Sequence, residues 1–505
     1  MATSEESAAA RVRGSFIPPL TLDFASETPL YRQISVWFQR TILAGHLQPG
    51  QRVPSTRALA KELRVSRIPV LSAYELLIAE GYFEPFAGTG TCVSRSIPDA
   101  FSPPERTGLA GSKAAGSTAE GQRAASRRAS ALRGPAQMWL RGARGCTDLE
   151  HFPIGIWSKL LSRHRRRMSR DIMGYGDTMG HLPLREALAE YLGAFRAVNC
   201  NPAQILITTG AQQALQISAL ALLDPGDEAW LEEPGYPGTQ QALRVAGARL
   251  VPVPVDQYGL DVEFGIRSAN GARVAYVTPA HQYPMSVMMS ATRRIELLSW
   301  AARNGAWIVE DDYDSEFRYS GNPLASLQGL DTGARVIYAG TLTKVMFPTL
   351  RLGFAVIPAD LVDTFLDLRN ALDTVSTPML HQLAMTDFIR EGHFSRHIKR
   401  MRAVYMERRK AMVEAVRQRA DGLLEVTGEE AGLYVLALLP VGVEEQDVLS
   451  RTRRLGLPVG PLSHCYSTPP ERGGLMLGYA NLPLREIPAM VGSLISAITK
   501  TCTSR

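Results

Sequence analysis

Apolar residues recur at helical spacing near the start of the chain, at Leu30-Tyr31, Ile34, Trp37-Phe38 and Ile42-Leu43. Gly45 and the Pro49-Gly50 pair end this predicted helix. Ser55 is a good N-cap for a short second helix, Thr56 to Leu63, and Ser66 caps a third that runs to about Glu80. Val70, Tyr74, Leu77 and Ile78 are expected on the inner face of the third helix, with Arg67, Leu71 and Glu75 opposite. Tyr82 to Phe86 and Thr91 to Val93 flank Ala87-Gly88-Thr89-Gly90, a pattern that predicts a β-hairpin.

The pattern changes twice further on. Gly108 to Arg133 is rich in Ala, Gly, Ser and Arg and has no apolar period, so 96–144 is expected to be a flexible basic linker between units at 20–95 and 145–505. Beyond it come near-continuous apolar runs: Ile205 to Thr209, Glu228 to Leu231, Arg249 to Val253, Val274 to Val277, Ala306 to Val309 and Val336 to Ala339. Helical patterns such as Ala211 to Leu223 and Thr292 to Arg303 separate several of them. Strands buried on both faces and spaced by helices predict a parallel α/β sheet. After Leu366 a helix-rich stretch and short runs at Gly432 to Val435 and Leu475 to Gly478 predict a smaller α+β subdomain.

At 505 residues, two or three domains are expected, and the 45% hydrophobic fraction is ordinary for a soluble protein. No apolar run is long enough to span a bilayer, and the polar, acidic N-terminus lacks the order of a signal peptide. Five scattered cysteines, none paired at metal-ligand spacing, predict a reducing cytoplasm, no disulfide framework and no metal site. The net charge of +6 permits nucleic-acid binding without arguing for it.

Candidate chemistry centres on Lys344. Thr341 and Thr343 lie three and one residues before it, and Arg351 seven after. A lysine that binds an aldehyde needs neighbours that hold an anion, so this run predicts a pyridoxal phosphate (PLP) site, with Lys344 as the Schiff-base amine and Thr341, Thr343 and Arg351 on the phosphate. Thr209-Gly210-Ala211-Gln212-Gln213 follows a predicted strand and opens a helix whose N–H groups, at Ala211 and Gln212, can cradle a phosphate. Tyr236, in Glu233-Pro234-Gly235-Tyr236-Pro237-Gly238, is placed to stack on a pyridine ring. Asp311, at the end of a buried strand, can keep the ring nitrogen protonated, and Tyr313 can donate to the ring hydroxyl oxygen. Each residue alone has a plainer reading, as a surface lysine, a solvated strand end or a core tyrosine.

Helix, tight turn, helix is a helix-turn-helix layout with the third helix as reader. Leu47-Gln48-Pro49-Gly50-Gln51-Arg52-Val53-Pro54-Ser55-Thr56-Arg57, Leu59-Ala60, Val65-Ser66-Arg67 and Glu80-Gly81-Tyr82 carry a resemblance to the winged helix-turn-helix of GntR-type regulators over Pro29 to Val93. That resemblance implies DNA contacts from Arg57, Ser66, Arg67 and the wing residues Gly88 and Thr89. Leu71, where a basic or polar residue is common, and Pro69 depart from the pattern. The second unit resembles fold-type-I aminotransferases. With Gly174-Tyr175-Gly176-Asp177, Leu184 to Leu188 and His281-Gln282-Tyr283-Pro284, the whole resembles the MocR/GabR-type regulators. This implies a PLP-dependent transcription regulator that binds double-stranded operator DNA as a head-to-tail homodimer and senses an amino compound or PLP itself. It also implies the roles given above for Lys344, Asp311, Tyr236 and Arg351.

Two departures bear on activity. Met476 occupies the position where aminotransferases carry a substrate-clamping arginine, and Ser286 replaces a glycine. Arg472 is expected on a loop. The aminotransferase-like domain is therefore expected to act mainly as a sensor, with at most a residual transaminase half-reaction. The alternative is a working aminotransferase with an accessory DNA-binding head.

Overall fold

The computed structural model describes residues 20–86, 90–95, 147–319, 325–373, 377–420, 422–428 and 431–502. The chain divides into two compact units, Met1–Gln122 and Arg123–Arg505. The expected linker 96–144 and the wing-tip residues Gly88 and Thr89 lie outside the described residues.

In the first unit, helices α1 (Leu30–Leu43), α2 (Thr56–Glu62) and α3 (Arg67–Ala79) precede strands β1 (Phe83–Phe86) and β2 (Gly90–Val93), which pair antiparallel. Ser55 caps α2 by accepting from the Ala58 N–H, whereas Ser66 occupies the cap position of α3 with no side-chain cap bond. Arg64 takes φ 55° in the turn between them. Ile34, Phe38 and Ile42 of α1 pack on Val70, Tyr74 and Leu77 of α3. The Phe38, Tyr74 and Phe83 rings meet edge to face with centroids 5.1–5.7 Å apart, worth about 0.5–1.5 kcal/mol per pair beyond the area buried. The Tyr74 hydroxyl donates to the Pro54 carbonyl at 2.7 Å, tying α3 to the start of α2. Ile78 departs from expectation: it is 38% exposed, while Ala73 is fully buried. At 100° per residue, Ile78 falls on the edge of the stripe that Ala73, Val70, Tyr74 and Leu77 define.

The second unit is built on an eight-stranded sheet in the order β3-β10-β9-β8-β7-β4-β5-β6. Its strands are β3 (Ile205–Thr208), β4 (Glu228–Glu233), β5 (Arg249–Asp256), β6 (Gly259–Leu260), β7 (Val274–Val277), β8 (Trp307–Asp312), β9 (Val336–Thr341) and β10 (Gly353–Val356). The sheet is mixed, not parallel as expected. β10 runs antiparallel to both β3 and β9, and short β6 runs antiparallel to β5. The cause lies in the connection from β9 to β10, which holds a 3-10 turn at Pro348–Leu350 and no crossover helix, so a parallel return is out of reach. Apolar clusters flank the sheet on both faces. One joins helix Ala211–Leu222 to Pro237–Ala246 and Val362–Leu372, and another stacks Trp230 on Trp300 with centroids 3.9 Å apart. A smaller sheet, β11 (Glu425–Thr427), β12 (Tyr434–Leu438), β13 (Val459–Pro461) and β14 (Gly474–Gly478), has the order β11-β12-β14-β13. It packs with helices His393–Ala420 and Ile487–Cys502 as the α+β subdomain. Among the described residues no helix is long and apolar enough to cross a membrane.

Candidate functional site

The ends of the parallel strands gather the chemistry. Gly353, the first residue of β10, pairs with Thr208 at the end of β3 and with Thr341 at the end of β9. An antiparallel strand thus brings its beginning to the edge where its neighbours finish, and the residues just before it, including Arg351, arrive there too. Gly353 must be glycine, because a Cβ would lie 2.6–2.7 Å from the Gly210 backbone. A cavity of about 270 Å³ opens at this edge. Its wall includes Ala211, Gln212, Tyr236, Asp311, Tyr313, Thr341, Thr343, Lys344 and Arg351, all nine residues nominated from sequence for a cofactor.

One end of the cavity is an anion cup. Gly210 (φ 126°) precedes the twelve-residue helix Ala211–Leu222, whose first N–H groups have no intrahelical acceptor. Arg351 adopts φ 52°, and a Cβ at Gly210 would sit 3.7 Å from its Nη1. The Thr341 hydroxyl accepts from the Thr343 N–H at 3.2 Å, while the Thr343 hydroxyl oxygen is buried with no hydrogen-bond partner among the described residues. The Gln212 side chain donates to the Gly238 carbonyl at 2.8 Å. Gly238 is the second obligatory glycine, since a Cβ there would meet both Gln212 and the Tyr236 ring.

The other end is acidic and buried. Asp311 is 7% exposed, and its Oδ1 has no hydrogen-bond partner among the described residues. Burial pushes its pKa up to about 8, helped by the charges of Asp312, Glu232 and Asp314 and opposed by nearby Lys344. Asp312, one residue on, is different. Burial alone would raise it, but Arg196 at 2.7 Å and the Tyr338 hydroxyl at 2.6 Å prevail and hold it below its ordinary value. Adjacent carboxyls on one strand alternate faces, so one is paired beneath the sheet edge while the other waits in the cavity. Burial, with Asp311 close by, pushes the Tyr236 hydroxyl up to about 12.

Tyr313 lies 2.9 Å from His281 Nδ1, which also contacts the Asp314 carboxylate at 2.9 and 3.0 Å. Leu433, just before β12, Tyr434 of β12 and Met476 of β14 close the wall from the smaller sheet. Met476 is 2% exposed and presents a thioether there, while Arg472 is held outside the wall by Glu425 and the Leu439 carbonyl, each at 2.6 Å. Thr147, Tyr283, Asp314, Leu433 and Tyr434 were not singled out for this site from sequence. Only Tyr283 carried a local signal, the His281-Gln282-Tyr283-Pro284 run. Tyr175 is 74% exposed.

On the first unit, Arg57, Ser66 and Arg67 are all exposed, and Arg67 Nε donates to the Thr56 hydroxyl at 3.2 Å, linking α2 and α3. Beside them Ile68 is 73% and Leu71 40% exposed, so the outer face of α3 carries an apolar pair next to its basic residue.

Comparison with known proteins matches residues 30–93 to the model of bacterial regulatory proteins of the gntR family, and residues 148–457 to that of aminotransferase class I and II. The chain is 39% identical over 479 residues to the probable rhizopine catabolism regulatory protein MocR of Rhizobium meliloti, covering 95% of each. It is 33% identical to the transcriptional regulator TauR of Rhodobacter capsulatus, covering 90% of this chain and 94% of that one. Among solved structures it is similar to the α-aminoadipate aminotransferase LysN of Thermus thermophilus complexed with N-(5'-phosphopyridoxyl)-L-leucine, at 28% identity and TM-score 0.70, over 75% of this chain and 98% of that one. A gntR-type reader and an aminotransferase-like domain in one polypeptide, similar to MocR along nearly its whole length, make this chain a member of the MocR subfamily of GntR-type DNA-binding transcription regulators.

Proposed function

We propose that the second unit carries pyridoxal phosphate, and that its occupancy, by PLP alone or with an amino compound, governs operator binding by the first. The observation that carries this reading is the cavity itself. It joins a lysine, an anion cup and a buried carboxyl, and two of its polar atoms, Asp311 Oδ1 and the Thr343 hydroxyl oxygen, lack among the described residues the partners that a pyridinium N–H and a phosphate would supply. When bound, PLP supplies an aldehyde that bonds a primary amine and a ring that withdraws electrons. Lys344 would hold the aldehyde carbon, and Arg351, Thr341, Thr343 and the N–H groups of Ala211 and Gln212 would hold the phosphate. Asp311 would keep a proton on the ring nitrogen, Tyr236 would cover the ring, and Tyr313 would donate to the ring oxygen.

Met476 shapes the choice of ligand. A thioether cannot make the paired, charge-assisted bonds that a guanidinium offers a carboxylate. Ordinary α-amino acids are therefore weak ligands, and an amine bound by other contacts, or PLP itself, is favoured. The likeness to LysN supports a second reading, an active aminotransferase with a DNA-binding head, and Met476 weighs against it. The working species is taken to be the head-to-tail homodimer that the MocR/GabR resemblance implies.

The test is operator binding by fluorescence anisotropy with PLP-free protein, PLP-loaded protein, and loaded protein plus candidate amines. A ligand shifts the DNA equilibrium only by its unequal affinity for two arrangements, and an effect of about 5- to 150-fold is the usual range. Identical affinities in all arms would reject the sensing role, and release of oxo product over many turnovers would favour the enzyme.

Arg57, Ser66 and Arg67 are proposed to contact operator DNA, as are Gly88 and Thr89 of the wing. The exposed apolar pair adds a sharper expectation. Ile68 and Leu71 can meet the C5-methyl groups of thymine in the major groove. Replacing operator thymines by uracil deletes those methyls and should weaken binding about fivefold per contacted base, about 1 kcal/mol. The Leu71→Ala chain should be less sensitive to the exchange. Equal binding of both DNAs by the unaltered chain would remove methyl contact from the recognition.

A further inference from the structure

A second cavity, of about 420 Å³, lies on the other side of His281. Helix Leu182–Arg196 contributes Arg196 to it, helix His393–Ala420 contributes Lys399 and Arg402, and Arg318 stands beside the 3-10 turn Ser315–Phe317. Among the described residues the wall holds four arginine or lysine side chains and one acid. Arg196 is matched by Asp312 at 2.7 Å. Arg402 is held through a neutral carbonyl, that of Glu316, at 2.8 and 3.1 Å, which leaves its charge uncompensated by that bond. Among the described residues the acid in the wall is Glu316, which accepts from the Tyr191 hydroxyl at 3.1 Å; burial, aided by Asp312, pushes it up to about 7, which weakens its negative charge near neutrality.

His281 supplies the second observation. It is 4% exposed, forms part of this wall, and its Nε2 is buried with no hydrogen-bond partner among the described residues. Its other nitrogen lies 2.9 Å from both the Asp314 carboxylate and the Tyr313 hydroxyl. Asp314 and Tyr313 line the Lys344 cavity. One imidazole ring therefore stands in the wall of one chamber and bonds two residues in the wall of the other.

We propose that the second cavity is a binding site for a small oxyanion, a carboxylate or a phosphate, and that its occupancy is transmitted to the Lys344 cavity through His281 and Tyr313. Arg318, Lys399 and Arg402 supply the charge that recognises the ligand, and binding it favours the imidazolium form of His281, whose Nε2–H donates to a ligand oxygen while Nδ1–H stays on Asp314. A new bond at Nε2 changes the proton demand at Nδ1, and with it the strength of the Tyr313 bond. The transmission deepens the PLP reading and rests on it, whereas the oxyanion site does not.

The experiment titrates the full-length, PLP-loaded protein with inorganic phosphate and with succinate, against chloride at matched ionic strength. Calorimetry reads binding, and the absorbance of bound PLP reads transmission. Saturable heat with phosphate or succinate, absent with chloride, is expected, and whichever of the two binds identifies the anion class. Arg402→Gln with Lys399→Gln should weaken that binding by at least about tenfold. Because those two side chains are exposed, each variant is also melted, and Arg318→Gln serves as an independent second variant. No saturable binding of either anion, or unchanged constants in both variants, overturns the site. Binding with no change in the PLP spectrum overturns the transmission alone. If the protein takes up no PLP, calorimetry still decides the oxyanion site, so the two readings fail separately.

Discussion

A Lys344→Ala chain should lose retained PLP, with affinity lower by roughly a thousandfold, about 4 kcal/mol, while its reader still binds operator. The cavity explains why the loss is large but not total. Arg351, the cup at Gly210, Asp311 and Tyr236 remain to hold phosphate and ring without a covalent bond. Operator affinity in this variant should respond to amines only while PLP is supplied in excess, because the aldehyde they condense with is no longer retained. Dialysis followed by absorbance reads the first effect, and anisotropy on operator DNA reads the second. A variant that kept its bound PLP through dialysis would move the covalent role to another residue. Loss of operator binding in the variant but not in the PLP-free unaltered chain, with the fold intact, would show instead that the lysine serves the reader.

Asp311→Asn should have two effects of opposite sign, weaker PLP binding and a more stable PLP-free protein. Burial raises the folded-state carboxyl to about 8 from its ordinary 3.8. Between those values the folded chain binds more protons than the unfolded chain does. The stability tied to this group is therefore complete below about pH 4, declines as pH rises toward 8, and stays low above it. Melting temperature of the PLP-free protein should fall across that window. Asparagine cannot ionise, so the variant should lose that slope and gain on the order of 2 kcal/mol near pH 8. Its amide is a poorer partner than a carboxylate for a pyridinium, so PLP should bind more weakly. Bound PLP should likewise flatten the slope in the unaltered chain by giving the carboxylate a cation. A pH-independent PLP-free protein would show that Asp311 stays ionised and that its orphaned oxygen is paired in solution.

The parts of the site that sequence made legible are those written in short runs. Thr341, Thr343, Lys344 and Arg351 fall within eleven residues, and Asp311 and Tyr313 are neighbours on one strand end, so spacing alone groups them. The reader was legible for the same reason, since helical spacing and serines at two cap positions, of which Ser55 makes the cap bond, mark α1 to α3. What spacing cannot give is pairing between distant segments. Leu433 and Tyr434 reach the cavity because β12 pairs with β14, which also brings Met476 in. β10 is not among the strands that the apolar runs predict, and only the missing crossover helix decides its reversed direction. The second cavity is drawn from helices and turns over two hundred residues apart, and nothing local at Arg196 or Arg402 announces it.

The tight meeting of Gly353 with Gly210 has a consequence for biogenesis. It joins segments far apart along the chain, so it forms only once the longest-range strand pairing of the sheet is complete. A nascent chain cannot offer the phosphate cup until that closure occurs. Vitamer capture would then act as a certificate of finished folding, and by binding only the closed form it would pull late intermediates home. Cells starved of the vitamin would hold more of the chain in the unclosed, protease-sensitive state, making abundance as well as operator affinity a reporter of vitamer supply.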